Sequence, residues 1–400
     1  MSYRTSKSHP RHEQSRKVEN VLVLQGGGSL GAFACGVFKA LVKNGIRLDI
    51  VAGTSIGAIN AAIIAGSKSG HPEKDLEDFW MELAESNYAI IPDIFTLNYD
   101  QHRRMYDFKI IPSASINAAI FGVPKMFVPR WNLTQMINDK DFFLPGNWTY
   151  TYDHSPLANT LEKYIDYRKI SLANKQEEAL PSVIRLIITA VNVLTSKSLV
   201  FDSAKMKIEI KHLLASSGYP IYGFPWVEIE NGVYAWDGSL LSNTPVREVI
   251  DASPRNDKHI FIVENYPREI DKLPSNMTEV EDRAKDIIFS DKTQHSMKMS
   301  KLVTRQIQLI EQLYDIVEKC DQSKLDSEQV KKVKKEYNYL VHNYGAEIHS
   351  VIRIIRNRLE SPNTLKNADF SPKTIKGLIS QGERKTMESL EYFKERHMQE

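Results

Sequence analysis

Residues 21–31 read VLVLQGGGSLG, and residues 50–57 read IVAGTSIG. Each segment starts with a short apolar run that is typical of a buried strand and continues through a glycine-containing turn into a helix-like stretch. The two segments therefore predict the order strand, glycine loop, helix, strand, serine turn, helix. Strands that alternate with helices favour a mainly parallel sheet with helices on both faces, and its functional loops lie at the carboxyl ends of the strands.

The serine turn has the sequence Gly53-Thr54-Ser55-Ile56-Gly57. A serine between two glycines is typical of a nucleophile elbow, a tight strand-to-helix turn that lifts the serine hydroxyl above the edge of the sheet. Glycine is needed there because a Cβ atom would clash. Taken alone, the pattern also fits an ordinary turn capped by a serine.

A third motif, Asp237-Gly238-Ser239, follows a predicted hairpin of Val227 to Glu230 and Val233 to Trp236. A serine hydroxyl is a poor nucleophile until a base removes its proton, and the tetrahedral intermediate needs hydrogen-bond donors aimed at its negative charge. Asp237 can be this base, and the backbone amides of Gly26 to Gly28 can be the donors. A carboxylate with an ordinary pKa of about 4 is a weak base, so partial burial of Asp237 would help.

The three motifs together resemble those of the patatin-like phospholipase family. The resemblance covers the first two-thirds of the chain and implies an α/β/α fold that cleaves carboxylic esters of lipids through an acyl-enzyme, without metal or cofactor. It implies that Ser55 and Asp237 form a catalytic dyad. In the family's pattern the oxyanion loop falls on Gly26, Gly27 and Gly28, and the approach to the aspartate falls on Ala215 to Pro225. The supporting motif residues are Gly31, Gly53, Gly57, Gly238 and Ser239.

The chain departs from the family pattern at two positions. Leu30 stands where many members have a basic residue, so backbone amides must stabilise the oxyanion without that charge. Ser239 replaces the second glycine of the aspartate motif, a small substitution that should fit but could alter the turn.

Three alternatives stay open at this point. A Ser-His-Asp triad would need a histidine after the acid, and His259 is the nearest candidate. Gly26, Gly28 and Gly31 also match a dinucleotide-binding loop, with Asp49 at the spacing of the ribose-binding acid but placed before its strand. The third alternative is a lipid-binding protein that retains the motifs without turnover.

Composition restricts the choice of partners. The chain has 52 basic and 50 acidic residues among 400, a net charge of +2 that argues against nucleic acid as a substrate. Only Cys35 and Cys320 are present, so a disulfide framework or a metal site of the usual spacing is not expected. The substrate implied by the resemblance is a lipid or fatty-acyl ester. The oligomeric state is not readable.

Three regions are predicted along the chain. Residues 1–20 form a basic, disordered tail without the apolar core of a signal peptide, which favours a cytoplasmic protein, and the implied lipid substrate favours peripheral membrane contact. Residues 21–273 form the hydrolase domain. Its insertion at about 88–152, rich in proline and aromatic residues, is expected to be a cover or lid that holds the acyl pocket.

Residues 274–400 are predicted to form a helical extension, of a kind that some bacterial and archaeal patatin-like proteins carry. Its expected long helices run from Met297 to Cys320 and from Ser327 to Leu359, followed by a pair from Lys373 to Ser380 and from Glu383 to Glu395. The predicted fold is thus a three-layer α/β/α sandwich with a mainly parallel central sheet and a C-terminal helical extension.

Overall fold

The computed structural model describes residues 17–87, 113–131, 136–137, 140–170, 183–252, 256–290, 327–344, 347–357 and 365–397, with scattered positions between 292 and 316. The strands in this part of the chain are β1 (Val18–Leu24), β2 (Ile50–Thr54), β3 (Val128–Pro129), β4 (Tyr152–Asp153), β5 (Arg185–Asn192), β6 (Ser198–Asp202), β7 (Val227–Glu230), β8 (Val233–Asp237), β9 (Asp257–Glu264) and β10 (Ile348–Ile355). The helices are α1 (Ala32–Lys43), α2 (Ile56–Ala65), α3 (Pro72–Asn87), α4 (Ser113–Phe121), α5 (Pro156–Tyr164), α6 (Tyr167–Ile170), α7 (Ile210–Ser217), α8 (Val246–Ile250), α9 (Met277–Phe289), α10 (Ser327–Tyr344) and α11 (Pro372–His397).

The central sheet is mostly parallel. Strands β10, β9, β1, β2 and β5 pair in that order and all run in the same direction. Strands β6 and β8 pair antiparallel with β5, and β7 pairs antiparallel with β8. The predicted hairpin of β7 and β8 is confirmed, with the residue bounds expected for β7.

The register of β5 explains how the serine and the aspartate meet. Thr189 pairs with Thr54 of β2 and with Val200 of β6, whereas the next residue, Ala190, pairs with β6 and with Asp237 of β8. A strand has only two edges, so β8 continues along the same edge of β5 at the point where β2 ends. Asp237 is therefore brought beside the turn that follows Thr54.

Side chains of the central strands alternate between two apolar layers, as the period of a strand requires. Leu22 and Leu24 of β1 belong to the larger core, which includes α1, α2 and α3. Val21 and Val23 face the smaller core, which α8 covers with Val246 and Val249. This arrangement confirms the predicted α/β sandwich with a mainly parallel sheet.

The C-terminal region packs on the same core. Helix α11 crosses α1 closely, since a Cβ atom at Gly36 would overlap the carbonyl oxygen of Ile379 and one at Gly382 would overlap that of Phe33. The expectation of two final helices is wrong: α11 is one continuous helix. Gly382 does not end it, because this glycine serves the close contact with α1.

The expectation of one helix from Ser327 to Leu359 is also wrong. The helix ends at Tyr344, and Ile348–Ile355 forms β10, which adds a parallel strand to β9. The run is rich in β-branched residues, and its alternate residues Ser350, Ile352 and Ile354 are buried. Much of the other expected helix, Met297 to Cys320, lies outside the described residues, as do residues 1–16 and 88–112. The expected boundary of the tail at residue 20 is wrong, because β1 already begins at Val18 and pairs with β9 from there.

None of the helices in the described ranges is long and apolar enough to cross a bilayer.

Candidate active site

Ser55 occupies a strained turn between β2 and α2. Its φ of 58° and ψ of −130° lie in a region that residues other than glycine rarely adopt. A Cβ atom at Gly53 would overlap the backbone of Gly57, and one at Gly57 would overlap the carbonyl oxygen of Leu24. Both glycines are therefore required by close backbone contact, which is the geometry expected of a nucleophile elbow.

A short chain of hydrogen bonds fixes this turn. The backbone amide of Ser55 donates to Oγ of Ser216 at 3.0 Å, and that hydroxyl donates to the carbonyl oxygen of Thr189 at 2.8 Å. The hydroxyls of Thr54 and Thr189 are 2.6 Å apart. Sequence reasoning placed Ser216 on the approach to the aspartate but assigned it no contact with Ser55.

Asp237 ends β8 and is only 1% exposed. The amide of Ser239 donates to its Oδ1 at 2.8 Å, whereas its Oδ2 makes no hydrogen bond of acceptable geometry within the described residues. Burial raises the pKa of Asp237 to about 6, and the Ser239 amide and the nearby Ser55 hydroxyl oppose that rise by favouring the charged carboxylate. The burial that the sequence could only anticipate is thus present.

The glycine loop approaches the site with unusual backbone angles. Gly27 has a φ of 155° and Gly28 has a φ of 57°. Both residues line the cavity beside Ser55. The amide of Gly26 instead donates to Oδ1 of Asn243 at 3.1 Å, so this amide is engaged within the protein.

Asn243 connects the glycine loop with the aspartate turn. Besides the Gly26 amide, its Oδ1 accepts the hydroxyl of Ser239 at 2.9 Å, and its Nδ2 donates to the carbonyl oxygen of Phe289 at 2.9 Å. The serine that replaces the family's glycine is therefore accommodated by a hydrogen bond. Sequence reasoning gave Asn243 no role, because an asparagine in a loop carries no local signal of a distant partner.

The two remaining motif glycines also mark close contacts. A Cβ atom at Gly31 would come within 2.8 Å of Cγ2 of Ile56, the residue that follows Ser55. A Cβ atom at Gly238 would come within 2.7 Å of the carbonyl oxygen of Thr189. The three predicted motifs therefore lie together, with the glycine loop against the serine turn and the aspartate turn against Thr189 of β5.

Ser55 and Asp237 open into a cavity of about 210 Å³. Its wall is mainly apolar and aromatic, and it comes in part from the predicted cover region through Ala118, Ala119, Met126, Phe127 and Tyr152. Other walls are formed by Leu157, Tyr219, Tyr222, Phe224, Tyr266, Phe289, Leu365 and Phe370. An apolar group fits this lining better than a charged one.

The histidine of the rival triad lies elsewhere. His259 is near the start of β9, where its Nδ1 is 2.7 Å from the hydroxyl of Ser350, and it does not line the cavity. The histidine in the cavity is His154, whose burial lowers its pKa to about 4, so that the imidazole is neutral at pH 7. Because His154 precedes Asp237 in the chain and has no motif around it, sequence reasoning gave it no role.

The acid of the rival nucleotide site is also misplaced. Asp49 precedes β2, and its Oδ2 accepts the amide of Asn20 at 2.9 Å while its Oδ1 pairs with Lys17. The glycine loop follows the opposite, carboxyl end of β1. A ribose bound at that loop would be out of reach of Asp49.

Comparison with known proteins identifies the family. A family model described as patatin-like phospholipase matches residues 22–250, more than half of the chain. The chain belongs to the patatin-like phospholipase family. A second family model, described as patatin phospholipase, matches residues 287–400.

Curated relatives share short stretches with this patatin-like protein. The patatin-like phospholipase domain-containing protein 6 of Mus musculus is 37% identical over 78 residues, which are 20% of this chain and 6% of that protein. The lysophospholipase nte1 of Aspergillus terreus is 57% identical over 44 residues, 11% of this chain and 3% of that protein. The triacylglycerol lipase SDP1L of Arabidopsis thaliana is 36% identical over 73 residues, which are 18% of this chain and 9% of that protein. The patatin-like chain thus matches only a small part of the length of each.

Two solved structures show distant similarity. VipD from Legionella pneumophila has a TM-score of 0.36 at 16% identity, over 96% of this chain and 69% of that one. ExoU from Pseudomonas aeruginosa, in its complex with SpcU, has a TM-score of 0.30 at 17% identity, over 70% of this chain and 54% of that one. The fold assignment of the patatin-like protein therefore depends on its own sheet topology.

Proposed function

We propose that this patatin-like protein is a serine acyl hydrolase that cleaves carboxylic esters of lipids with a Ser55–Asp237 dyad. The observation that carries the proposal is the buried carboxylate of Asp237, whose Oδ2 makes no hydrogen bond within the described residues, beside a serine on a strained elbow. A carboxylate pKa near 6 makes a stronger base than an ordinary aspartate and leaves it ionised at pH 7.

In the proposed reaction, Oγ of Ser55 bonds to the ester carbonyl carbon while Asp237 takes the hydroxyl proton. The amides of Gly27 and Gly28 are the proposed donors to the oxyanion, since the Gly26 amide is engaged with Asn243. Asp237 then returns the proton to the leaving alcohol as the carbon–oxygen bond breaks. Water attacks the acyl-enzyme with Asp237 again as base, which releases the fatty acid and restores Ser55.

The cavity supports a lipid as the substrate. Its apolar lining suits an acyl chain, and α4, which lines it with Ala118 and Ala119, exposes Ile116, Ile120 and Phe121 on its outer side. Exposed apolar residues beside an apolar cavity favour contact with a membrane surface. Peripheral membrane contact is therefore part of the proposal.

The proposal is tested with a fluorophosphonate probe, which bonds covalently to activated serines. The full chain, Ser55→Ala and the exposed-serine control Ser69→Ala are labelled, and the adduct is mapped by mass spectrometry. We expect one adduct on Ser55 in the full chain and in Ser69→Ala, and none in Ser55→Ala. Ester hydrolysis by Ser55→Ala should fall by about 1,000-fold or more.

A folded Ser55→Ala protein with undiminished turnover would contradict the proposal. Binding of fatty-acyl ligands by a folded wild-type chain that neither reacts with the probe nor turns over ester would instead identify a non-catalytic lipid-binding protein.

A further inference from the structure

A C-terminal segment forms one side of the active site. Residues 365–370, here called the wall segment, contain a short 3-10 turn just before α11. Leu365, Asn367, Ala368 and Phe370 line the cavity that also holds Ser55 and Asp237. This segment is far from the glycine loop in sequence: Ser29 and Lys366 are 337 residues apart.

The wall segment contacts the glycine loop directly. The hydroxyl of Ser29, which is fully buried, donates to the carbonyl oxygen of Lys366 at 3.0 Å. A Cβ atom at Gly28 would overlap the carbonyl oxygen of Asn367. The backbone of the proposed oxyanion donor Gly28 therefore lies against the backbone of the wall segment, with no room for a side chain between them.

A buried charge cluster holds the wall segment in place. Lys366 is only 2% exposed, and its Nζ lies 2.6 Å from Oδ1 of Asp286 and 3.0 Å from Oδ1 of Asp282, both on α9. The same ammonium lies 5.6 Å from the centroid of the Tyr266 ring, and the side chain of Asn367 donates to the Tyr266 hydroxyl. Ion pairs with this little exposure hold their partners in a defined geometry.

A second C-terminal residue reaches the same loop through one intermediate. Arg356, which is 1% exposed and follows β10, donates from Nε to the carbonyl oxygen of Asn265 at 2.7 Å. The side-chain amide of Asn265 donates in turn to the carbonyl oxygens of Gln25 and Gly26 at 3.0 and 3.1 Å. The glycine loop is thus supported by the C-terminal region from two directions.

We propose that the wall segment positions the oxyanion loop, and that Lys366 is the positioning residue that holds the segment. The C-terminal region that the second family model matches then contributes to the geometry of the active site. This inference rests on the proposed hydrolase function. Its physical reason is that oxyanion donors act only when correctly placed, and a displacement of about 1 Å can cost about 100-fold in rate.

The test compares Lys366→Met with Lys376→Met in the full chain. Both variants exchange a lysine for methionine in the C-terminal region, but Lys376 is exposed on α11. We expect Lys366→Met to lower kcat for a soluble short-chain ester by about 10- to 100-fold with little change in KM, and to slow fluorophosphonate labelling of Ser55 similarly. Lys376→Met should match the wild type. Both are assayed well below the midpoint of thermal unfolding, so that lost stability alone does not change kcat.

Ser29→Ala provides a second test that does not disturb the buried charges. It removes the hydroxyl that donates to the wall segment and should lower kcat by about 10-fold while the protein stays folded. This variant decides the matter if Lys366→Met does not fold.

The outcomes separate the two proposals. Absence of labelling in the wild-type chain would contradict the hydrolase function itself. If the wild type is labelled normally but folded Lys366→Met keeps the wild-type kcat, only the positioning role is overturned. If Lys366→Met does not fold, a wild-type kcat in Ser29→Ala overturns the positioning role instead.

Discussion

Asp237 combines two properties that work against stability. It is buried, and its Oδ2 makes no hydrogen bond within the described residues, so its charged form is poorly stabilised. The rise of its pKa from 3.8 to about 6 corresponds to about 3 kcal/mol of unfolding free energy. A buried aspartate with a strongly raised pKa is typical of a functional site.

The pH dependence of activity follows from this raised pKa. Asp237, the proposed base, must be ionised to accept the Ser55 proton, so kcat/KM should fall as the pH drops through about 6. Measurement of kcat/KM for a neutral ester between pH 4.5 and 9 checks this expectation. A profile that stays flat down to pH 4.5 would show that Asp237 keeps an ordinary pKa.

The same residue predicts a gain in stability on substitution. Because the folded-state pKa of Asp237 lies above the unfolded value, its stability contribution is fully present below about pH 4 and is lost as the pH rises through about 6. Asp237→Asn keeps an acceptor for the Ser239 amide but cannot ionise. We expect this variant to be inactive, yet more stable than the wild type by about 1–3 kcal/mol at pH 8, and not at pH 4. Urea unfolding at both pH values is the measurement, and equal stability at pH 8 would contradict the burial cost.

At the scale of elements, the site depends on how the ends of β2 and β8 meet along one edge of β5. Strand β2 ends at Thr54 and β8 ends at Asp237, and both pair with consecutive residues on one edge of β5. The loops that follow these strands must also be held in position relative to one another. Asn243 links them, because its side chain hydrogen-bonds to the glycine loop, the aspartate turn and the end of α9. Removal of its side chain should loosen all three.

We therefore expect Asn243→Ala to lower kcat by about 10-fold or more and stability by about 1–3 kcal/mol, since it leaves buried polar groups unpaired. Asn231→Ala, in the exposed hairpin turn, is the matched control and should have little effect. Turnover and urea unfolding of both variants are compared. Equal values for the two would show that Asn243 does not couple the loops.

At the scale of the whole molecule, the C-terminal region shares the core of the sheet. Strand β10 pairs with β9, and α11 packs against α1 through Gly36 and Gly382. A region joined in this way should unfold together with the sheet in one cooperative transition.

Two glycines of α11 offer a direct comparison. A Cβ atom at Gly382 would overlap the carbonyl oxygen of Phe33, whereas one at Gly377 would meet nothing within 4 Å. Gly382→Ala should therefore destabilise the protein by about 1–3 kcal/mol, while Gly377→Ala should stabilise it by about 0.5–1 kcal/mol. Calorimetry of both variants measures these shifts. A separate transition that alone responds to Gly382→Ala would mean that α11 belongs to an independent unit.

The sequence by itself determined the local parts of this protein. The glycine loop, the serine elbow and the aspartate turn are short motifs, and the elbow itself selects glycine at Gly53, where a Cβ atom would overlap the backbone of Gly57. The alternating strand and helix pattern likewise predicted the sandwich, since apolar periodicity is a local property.

Tertiary structure alone decided what lies around those motifs. Ser216 and Asn243 reach the site through hydrogen bonds, and Lys366 holds the wall segment through an ion pair with Asp286. These contacts join segments far apart in sequence and leave no local pattern. Strand β10 was mistaken for helix for a related reason: its short apolar run fits either structure, and the open edge of β9 selects the strand. The burial that raises the pKa of Asp237 likewise exists only once these segments have packed together.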